Sequence, residues 1–483
     1  MRKPENMSNI VAEQTMASPL SAIVRRAPVT CLPDTPLRAA LATMHQLNIG
    51  SMIVADGKLA PLGILTLRDV LDRVALAACG LERPIADVMT RNVFSMPPQA
   101  PAYAAAAAMV KRGIRHIMVV DGGRLTGLIT EKDIFNLQRN DIPQLARAIR
   151  DANSVDGLAQ SSADVRQLAH AMLVQGMGAA QLTYLIASLN DLLTQRVIEF
   201  GMAGAELNEI RWCWIALGSE GRFEQTFSTD QDNGIVFVSA HDAAAVRARL
   251  LPLAQRINED LARCGFPLCS GEIMAGNPRW CLSAEEWRAR FADWIDRGDP
   301  QALMHATIFF DLRALHGDTA VADELRTWML AHASGNPRFL HQMAANALRN
   351  RPPLGILRDF ATSDDAAHPG TLDLKLSGAT LFTDAARIYG LANAAAPTNT
   401  GARLHELGVR EILPPREVKA WIDAFQFIQL LRLRHQHVQN MEGLAMDNRL
   451  DPEDLNQLER RILKEAFLQA RQLQERLALD YRL

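Results

Sequence analysis

The chain has no CxxC pair, no long hydrophobic run, no strong charge of one sign and no dense basic tract interleaved with aromatics. Its 6 cysteines (Cys31, Cys79, Cys213, Cys264, Cys269, Cys281) are too thinly spread over 483 residues to form a disulfide scaffold. Without CxxC spacing a structural zinc site has no support. No uncharged stretch approaches the ~20 residues of a membrane span. The longest bland run, Ala102 to Val110, is short and rich in alanine. Residues 1–16 lack the apolar centre of a secretion signal. These absences predict a soluble protein of the reducing cytoplasm with no membrane partner. Lys+Arg 51 against Asp+Glu 54 leaves a net charge of -3, which argues against nucleic acid as a partner.

What is present is ordinary globular material: 48% hydrophobic and 22% charged residues, enough to fill several cores. At roughly 100–200 residues per domain, the length predicts about three domains.

The first 140 residues repeat themselves. Gly63-Ile64-Leu65-Thr66-Leu67-Arg68-Asp69-Val70 aligns with Gly127-Leu128-Ile129-Thr130-Glu131-Lys132-Asp133-Ile134, and Ile49–Val54 with Ile114–Val119. The copies differ in length only at their turns, Asp56-Gly57-Lys58 against Asp121-Gly122-Gly123, where insertions are tolerated. Each copy reads helix (37–47 or 102–112), strand, turn, strand, helix. A strand-end threonine can hydrogen-bond a phosphate, and a carboxylate at the next helix start can accept from ribose hydroxyls. The same residues can equally cap the helix. This repeat resembles tandem cystathionine-β-synthase-type (CBS) modules. The resemblance implies an adenine-nucleotide cleft using Thr66, Asp69, Thr130 and Asp133, and a homodimer formed through the pair.

Helices are expected at 164–175 and 180–200, where apolar residues recur every three or four positions. A short strand, 212–217, then leads into Gly218-Ser219-Glu220-Gly221-Arg222-Phe223-Glu224-Gln225-Thr226. Asp230-Gln231-Asp232-Asn233 follows, with a second strand at 234–238. Carboxylates two apart on a strand share a face and can hold divalent cations for in-line transfer at phosphorus. The Gly-Ser turn offers backbone N–H groups and a hydroxyl to a triphosphate, and Arg222 can reach a phosphate bidentately.

This arrangement resembles the polymerase-β-like nucleotidyltransferases. The longer string 218–233 is similar to a bacterial family of CBS-linked nucleotidyltransferases related to the catalytic domain of PII uridylyltransferase. The resemblance implies a nucleoside triphosphate on Gly218, Ser219 and Arg222, and Mg²⁺ or Mn²⁺ on Asp230 and Asp232. It also implies a hydroxyl acceptor on a PII-like signalling protein or another acceptor, with the CBS pair as adenine-nucleotide effector site. The superfamily usually has a third carboxylate. Glu272, in a strand-like segment 269–275, is the catalytic candidate. Asp311 is the alternative, read also as an ion pair with Arg313 or a neighbour. The family's cyclic-nucleotide domain is not expected ahead of residue 17, and no HD-type hydrolase segment is visible.

From residue 324 onward the pattern is helical, with Leu463, Phe467, Ala470, Leu473 and Leu477 on one stripe. This region resembles the family's C-terminal substrate-binding domain, which would turn Lys375, Arg387, Arg434 and His435 toward triphosphate or acceptor. Solvated or ion-paired side chains are the stronger reading, as is usual for long basic side chains on a helical bundle. His435 and His437 cannot share a helix face, and the tryptophans at 212, 214, 280, 287 and 294 are expected to pack a core.

The expected fold is thus α+β and multidomain. It comprises a tail (1–16), a tandem CBS pair (17–140, split about 78/79), a helical linker opening the transferase domain (141–205), a polymerase-β-like nucleotidyltransferase domain (206–323) and an all-α bundle (324–483). The competing function is a non-catalytic nucleotide sensor that uses the transferase fold to bind a partner.

Overall fold

The computed structural model describes residues 18–483 apart from 25–27, 48, 78, 92, 113, 132, 134–140, 299–302, 304–305, 356–358 and 366–367. The predicted tail and the end of the second repeat, Ile134 included, lie outside the described residues. The chain divides into two compact units, 1–144 and 145–483.

In the first unit, strands β1 (Thr30–Cys31), β2 (Ser51–Ala55), β3 (Pro61–Thr66) and β4 (Thr90–Arg91) form one sheet. Strands β5 (Ser95–Met96), β6 (His116–Asp121) and β7 (Arg124–Thr130) form another. Both hairpins have matching register, Ser51 facing Thr66 and His116 facing Thr130, as the repeat predicts. The two hydrophobic cores draw on segments from both copies. Leu20 and Ile23 pack with Ala102, Met109, Ile117 and Ile129 of the second copy. Ile85, Val88 and Met89 pack with Leu37, Met52 and Leu65 of the first. Each copy is completed by a segment that precedes the other. The repeated glycines permit this: a Cβ on Gly63 would strike Met89 and the Thr90 carbonyl, and one on Gly127 would strike Val24.

The second unit is built on β8 (Arg211–Ala216), β9 (Asn233–Val238), β10 (Cys281–Ser283) and β11 (Arg313–Gly317), in the order β10-β9-β8-β11. β9 runs parallel to β10 and antiparallel to β8, and β8 runs antiparallel to β11. Period-two alternation sends the strands' side chains into two cores. Trp214, Ala216, Ile235 and Phe237 face Leu193, Val197, Leu250 and Ile257 of the helices Ala179–Met202 and Ala243–Arg263. Cys213, Ile215 and Val236 face Trp280, Trp287, Phe309 and Phe310, and this core runs on into the C-terminal helices through Phe339, Phe382, Phe425 and Phe467. The tryptophans are core residues as expected, with Trp212 only partly buried.

The helix preceding Ala179–Met202 starts at Val155 and not at 164, because Ser154 caps it by accepting from the Gly157 N–H. The C-terminal part contains helices Thr319–Ser334, Pro337–Ala347, Thr380–Ala392, Thr400–Val409, Pro415–Met441 and Gln457–Asp480. A two-strand ladder, β12 (Leu372–Asp373) with β13 (Arg449–Leu450), joins them. The stripe Leu463, Phe467, Ala470, Leu473, Leu477 is buried.

Candidate active site

The motif begins where β8 ends. The Leu217 N–H donates to the Asp232 carbonyl at 2.9 Å, and the chain then turns into the short helix Gly218–Gly221. Gly218 adopts φ 53°, a left-handed conformation that suits glycine. A Cβ there would lie 2.7 Å from Asp232 Oδ2. The Gly-Ser turn and the second aspartate are therefore in contact.

The two aspartates precede β9 instead of lying within it, since the strand begins at Asn233. The alternation still holds through the lead-in. Gln231 and Asn233 point inward, where the Asn258 side-chain amide donates to both, at 2.7 and 3.1 Å. Gln231 Nε2 donates to the carbonyls of Asn258 and Phe266. Asp230 and Asp232 are thereby held on the opposite face. With Cys269 they form a group whose ligand atoms lie within 4.8 Å of one another. The Cys269 thiol contacts Asp232 Oδ1 at 3.6 Å. Burial pushes the Asp232 carboxyl up to about 6, the charge of Asp230 adds to this, and the cations Lys375 and Arg222 act against it. Burial likewise pushes the Cys269 thiol up, while the backbone N–H groups of Ile273 and Gly271, directed at the sulfur, pull it down.

Glu272 does not join them. The expected strand at 269–275 is a turn, in which the Glu272 N–H donates to the Cys269 carbonyl. Glu272 itself is exposed with φ 56°. Its carbonyl accepts from Asn277 Nδ2 and Trp280 Nε1, both at 3.0 Å, which fixes the turn. Among the described residues the third donor beside the pair is the Cys269 sulfur.

Arg222 also departs from expectation. Its Nε donates to Glu224 at 2.7 Å and its Nη1 to Asp311 at 2.6 Å, with the side chain 12% exposed. Asp311, fully buried at the end of a 3-10 turn, accepts in addition from Arg387 and Arg403. Arg387 is thus a buried ion-pair partner, the stronger of the two readings of the C-terminal basic side chains, and Arg313 pairs with Asp191 instead of Asp311. Glu224, inside the motif, accepts from the Thr400 N–H at 2.6 Å and from Asn399 Nδ2 at 3.2 Å. The motif is therefore hydrogen-bonded to the start of the helix Thr400–Val409. Arg434 pairs with Glu459. His435 meets Asp447, and His437 meets His170. Lys375, of the four C-terminal candidates, acts on Asp232 through its charge.

Sequence reasoning passed over Glu220. It is buried between Asp191 and Asp232, and burial foremost, then those charges, raise its carboxyl to about 8. A glutamate set between Ser219 and Gly221 in a phosphate-type turn was the available signal.

In the first unit, Thr66 and Asp69 form a reciprocal capping box, with Thr66 Oγ1 donating to Asp69 Oδ2 at 2.6 Å. Thr130 and Asp133 repeat it at 2.5 Å. Asp69 additionally accepts from Thr90 and pairs with Arg73. His116 lies where both Asp69 and Asp133 act on it, although burial foremost lowers its basicity.

Comparison with known families agrees with this architecture. Residues 20–76 and 85–140 match the CBS domain. Residues 163–301 match "Putative nucleotidyltransferase DUF294", and 337–481 its "Putative nucleotidyltransferase substrate binding domain". The chain belongs to the family of CBS-domain-linked nucleotidyltransferases that these three matches define. It is 30% identical over 118 residues to an uncharacterized protein of Methanopyrus kandleri, covering 24% of this chain and 60% of that protein. It is 34% identical over 117 residues to the inosine-5'-monophosphate dehydrogenase of Mycobacterium tuberculosis, covering 24% of this chain and 21% of the dehydrogenase. Among solved structures, a CBS domain protein from Pyrobaculum aerophilum complexed with AMP covers 24% of this chain and 88% of its own, at 21% identity and TM-score 0.23. A CBS-domain protein from Agrobacterium tumefaciens covers 25% and 98%, at 29% identity and TM-score 0.24. No helix among the described residues is long and apolar enough to cross a membrane.

Proposed function

We propose that this protein transfers a nucleoside monophosphate from a nucleoside triphosphate to an acceptor hydroxyl. The observation that carries the reading is the contact between the left-handed Gly218 turn and Asp232, which puts a phosphate-type turn beside two carboxylates held on one face. Two carboxylates with a thiol alongside are a donor set that fits a divalent cation, and Asp230 and Asp232 would hold Mg²⁺ or Mn²⁺. A cation bound there supplies charge neutralisation for the triphosphate and its leaving pyrophosphate. The Gly218 and Ser219 backbone and the Ser219 hydroxyl bind phosphate oxygens, and Lys375 adds a cation from the helical part. The acceptor oxygen forms a bond to the α-phosphorus as the bond to the bridging oxygen breaks. Pyrophosphate departs with that electron pair, and the acceptor proton passes to solvent. Arg222 belongs to the scaffold that positions the turn.

The family resemblance points to a PII-like signalling protein, or another protein or small molecule, as acceptor. It also points to an adenine nucleotide at the CBS pair as effector. The exposed leucines at 67, 71 and 76, within and after the first capping box, support association of two chains through that unit. A cytoplasmic setting completes the reading, supported by six free cysteines.

One observation favours a second reading, a nucleotide sensor without catalysis: the expected phosphate cation Arg222 is sequestered in ion pairs. The test is metal-dependent transfer of α-labelled UTP and ATP into protein in a cell extract, with Asp230→Ala/Asp232→Ala alongside. Label on one band with the wild type only supports the transferase and identifies its acceptor. Triphosphate binding that is equal with and without Mg²⁺, and equal in the double variant, supports the sensor.

A further inference from the structure

Among the described residues neither Glu272 nor Asp311 joins the aspartate pair, and a sulfur stands close to it instead. Cys269 Sγ is 3.6 Å from Asp232 Oδ1. Bonds of about 2.3 Å to sulfur and about 2.1 Å to oxygen, at a tetrahedral angle, span about 3.6 Å between donors. Asp230 completes a set within 4.8 Å.

The turn that carries the cysteine is closed by the Glu272 N–H, which donates to the Cys269 carbonyl. The turn is also tied to the aspartates' strand. The Asn233 N–H donates to the Ile273 carbonyl at 3.1 Å, and the Ala275 N–H to Asn233 Oδ1 at 2.8 Å. Sulfur and carboxylates therefore keep their spacing through one backbone link and one bond to the buried Asn233 side chain.

We propose that Cys269 is the third ligand of the cation held by Asp230 and Asp232, and that the site prefers a later first-row divalent ion, Co²⁺ or Zn²⁺, to Mg²⁺. This rests on the reading that the aspartate pair holds a cation. Thiolate donors select such ions, whereas an all-oxygen site suits Mg²⁺. On binding, the thiol proton is released to solvent and the sulfur bonds the metal.

The test is titration of the full chain with Co²⁺ in a non-thiol reductant, followed by absorption. The expected result is a thiolate-to-cobalt charge-transfer band in the near ultraviolet, saturating at about one ion per chain and displaced by Zn²⁺ but not by equimolar Mg²⁺. In Cys269→Ser the band is lost, Co²⁺ still binds through its weak visible bands, and its affinity falls by at least the ~10-fold that loss of an outer-sphere partner costs. Asp230→Asn/Asp232→Asn loses both signals. The proposal is overturned if wild type binds Co²⁺ without the charge-transfer band, in which case the aspartate reading stands alone. It is also overturned if the band persists in Cys269→Ser. Absence of any cation binding by wild type overturns both. The wild-type band requires no variant, so a misfolded substitution cannot imitate the result.

Discussion

Asp311 Oδ2 accepts from Arg222 Nη1 at 2.6 Å across 89 residues of sequence, and the carboxylate is simultaneously shared by Arg387 and Arg403. Burial works against its ionised form, yet the three guanidiniums hold the carboxyl far below the usual carboxylate range. Its folded-state pKa being depressed, its stabilising contribution is present above about pH 4, the unfolded value, and is lost as pH falls below it. Asp311→Asn leaves three buried cations without their shared counter-charge. It is expected to cost about 3–5 kcal/mol in urea unfolding at pH 7.

Substitution at Gly218 tests the contact that carries the functional reading. Gly218→Ala places a methyl group against Asp232 Oδ2 at a φ of 53°. Stability is expected to fall by more than ~1 kcal/mol, and cation binding by the aspartate pair to fall sharply. Thermal melts and a Mn²⁺ binding isotherm on the same sample read both effects.

Glu220 gives a pH signature. A carboxyl raised to about 8 in the fold holds its proton longer than in the unfolded chain. Its contribution is therefore full below about pH 4.3, the unfolded value, and is lost progressively as pH rises toward 8. Glu220→Gln keeps the shape and removes the titration. The variant is expected to equal wild type near pH 5 and to exceed it by a few kcal/mol, on the order of what one buried charge costs, at pH 8. Unfolding curves across that interval check the sign.

The capping boxes of the first unit separate a structural from a ligand-binding role. Thr130→Val removes the bond to Asp133 and is expected to cost about 1 kcal/mol as a lost cap. If the threonines also contact an adenine nucleotide, AMP raises the melting temperature of wild type and does so less in Thr66→Val/Thr130→Val. Scanning calorimetry with and without AMP measures both effects.

How far these features were visible in the sequence depends on how local their causes are. The shared face of Asp230 and Asp232 follows from period-two alternation, and it holds although both residues precede the ladder, which starts at Asn233, because Gln231 and Asn233 anchor the other face. The paired hairpins followed from the repeat. The fate of Arg222 was not legible, since its partner Asp311 arrives from a distant turn and brings two arginines from helices still further along. Glu272 was misplaced because its left-handed φ converts an apparent strand into a turn, which delivers Cys269 instead. The exchange of 18–24 and 85–91 between copies was hidden for a similar reason. It depends on the close approach allowed by Gly63 and Gly127, not on any pattern within the exchanged segments.

The buried cluster at Asp311 also bears on how such a chain can be reshuffled. A break between the transferase sheet and the helices that follow it would strand Arg387 and Arg403 on one side and their carboxylate on the other. It would also cut Glu224 from Thr400 and expose an aromatic core that both parts share. The two regions that match separate family models are consequently interdependent in stability. The sheet and the helical region therefore stand or fall as one folding unit.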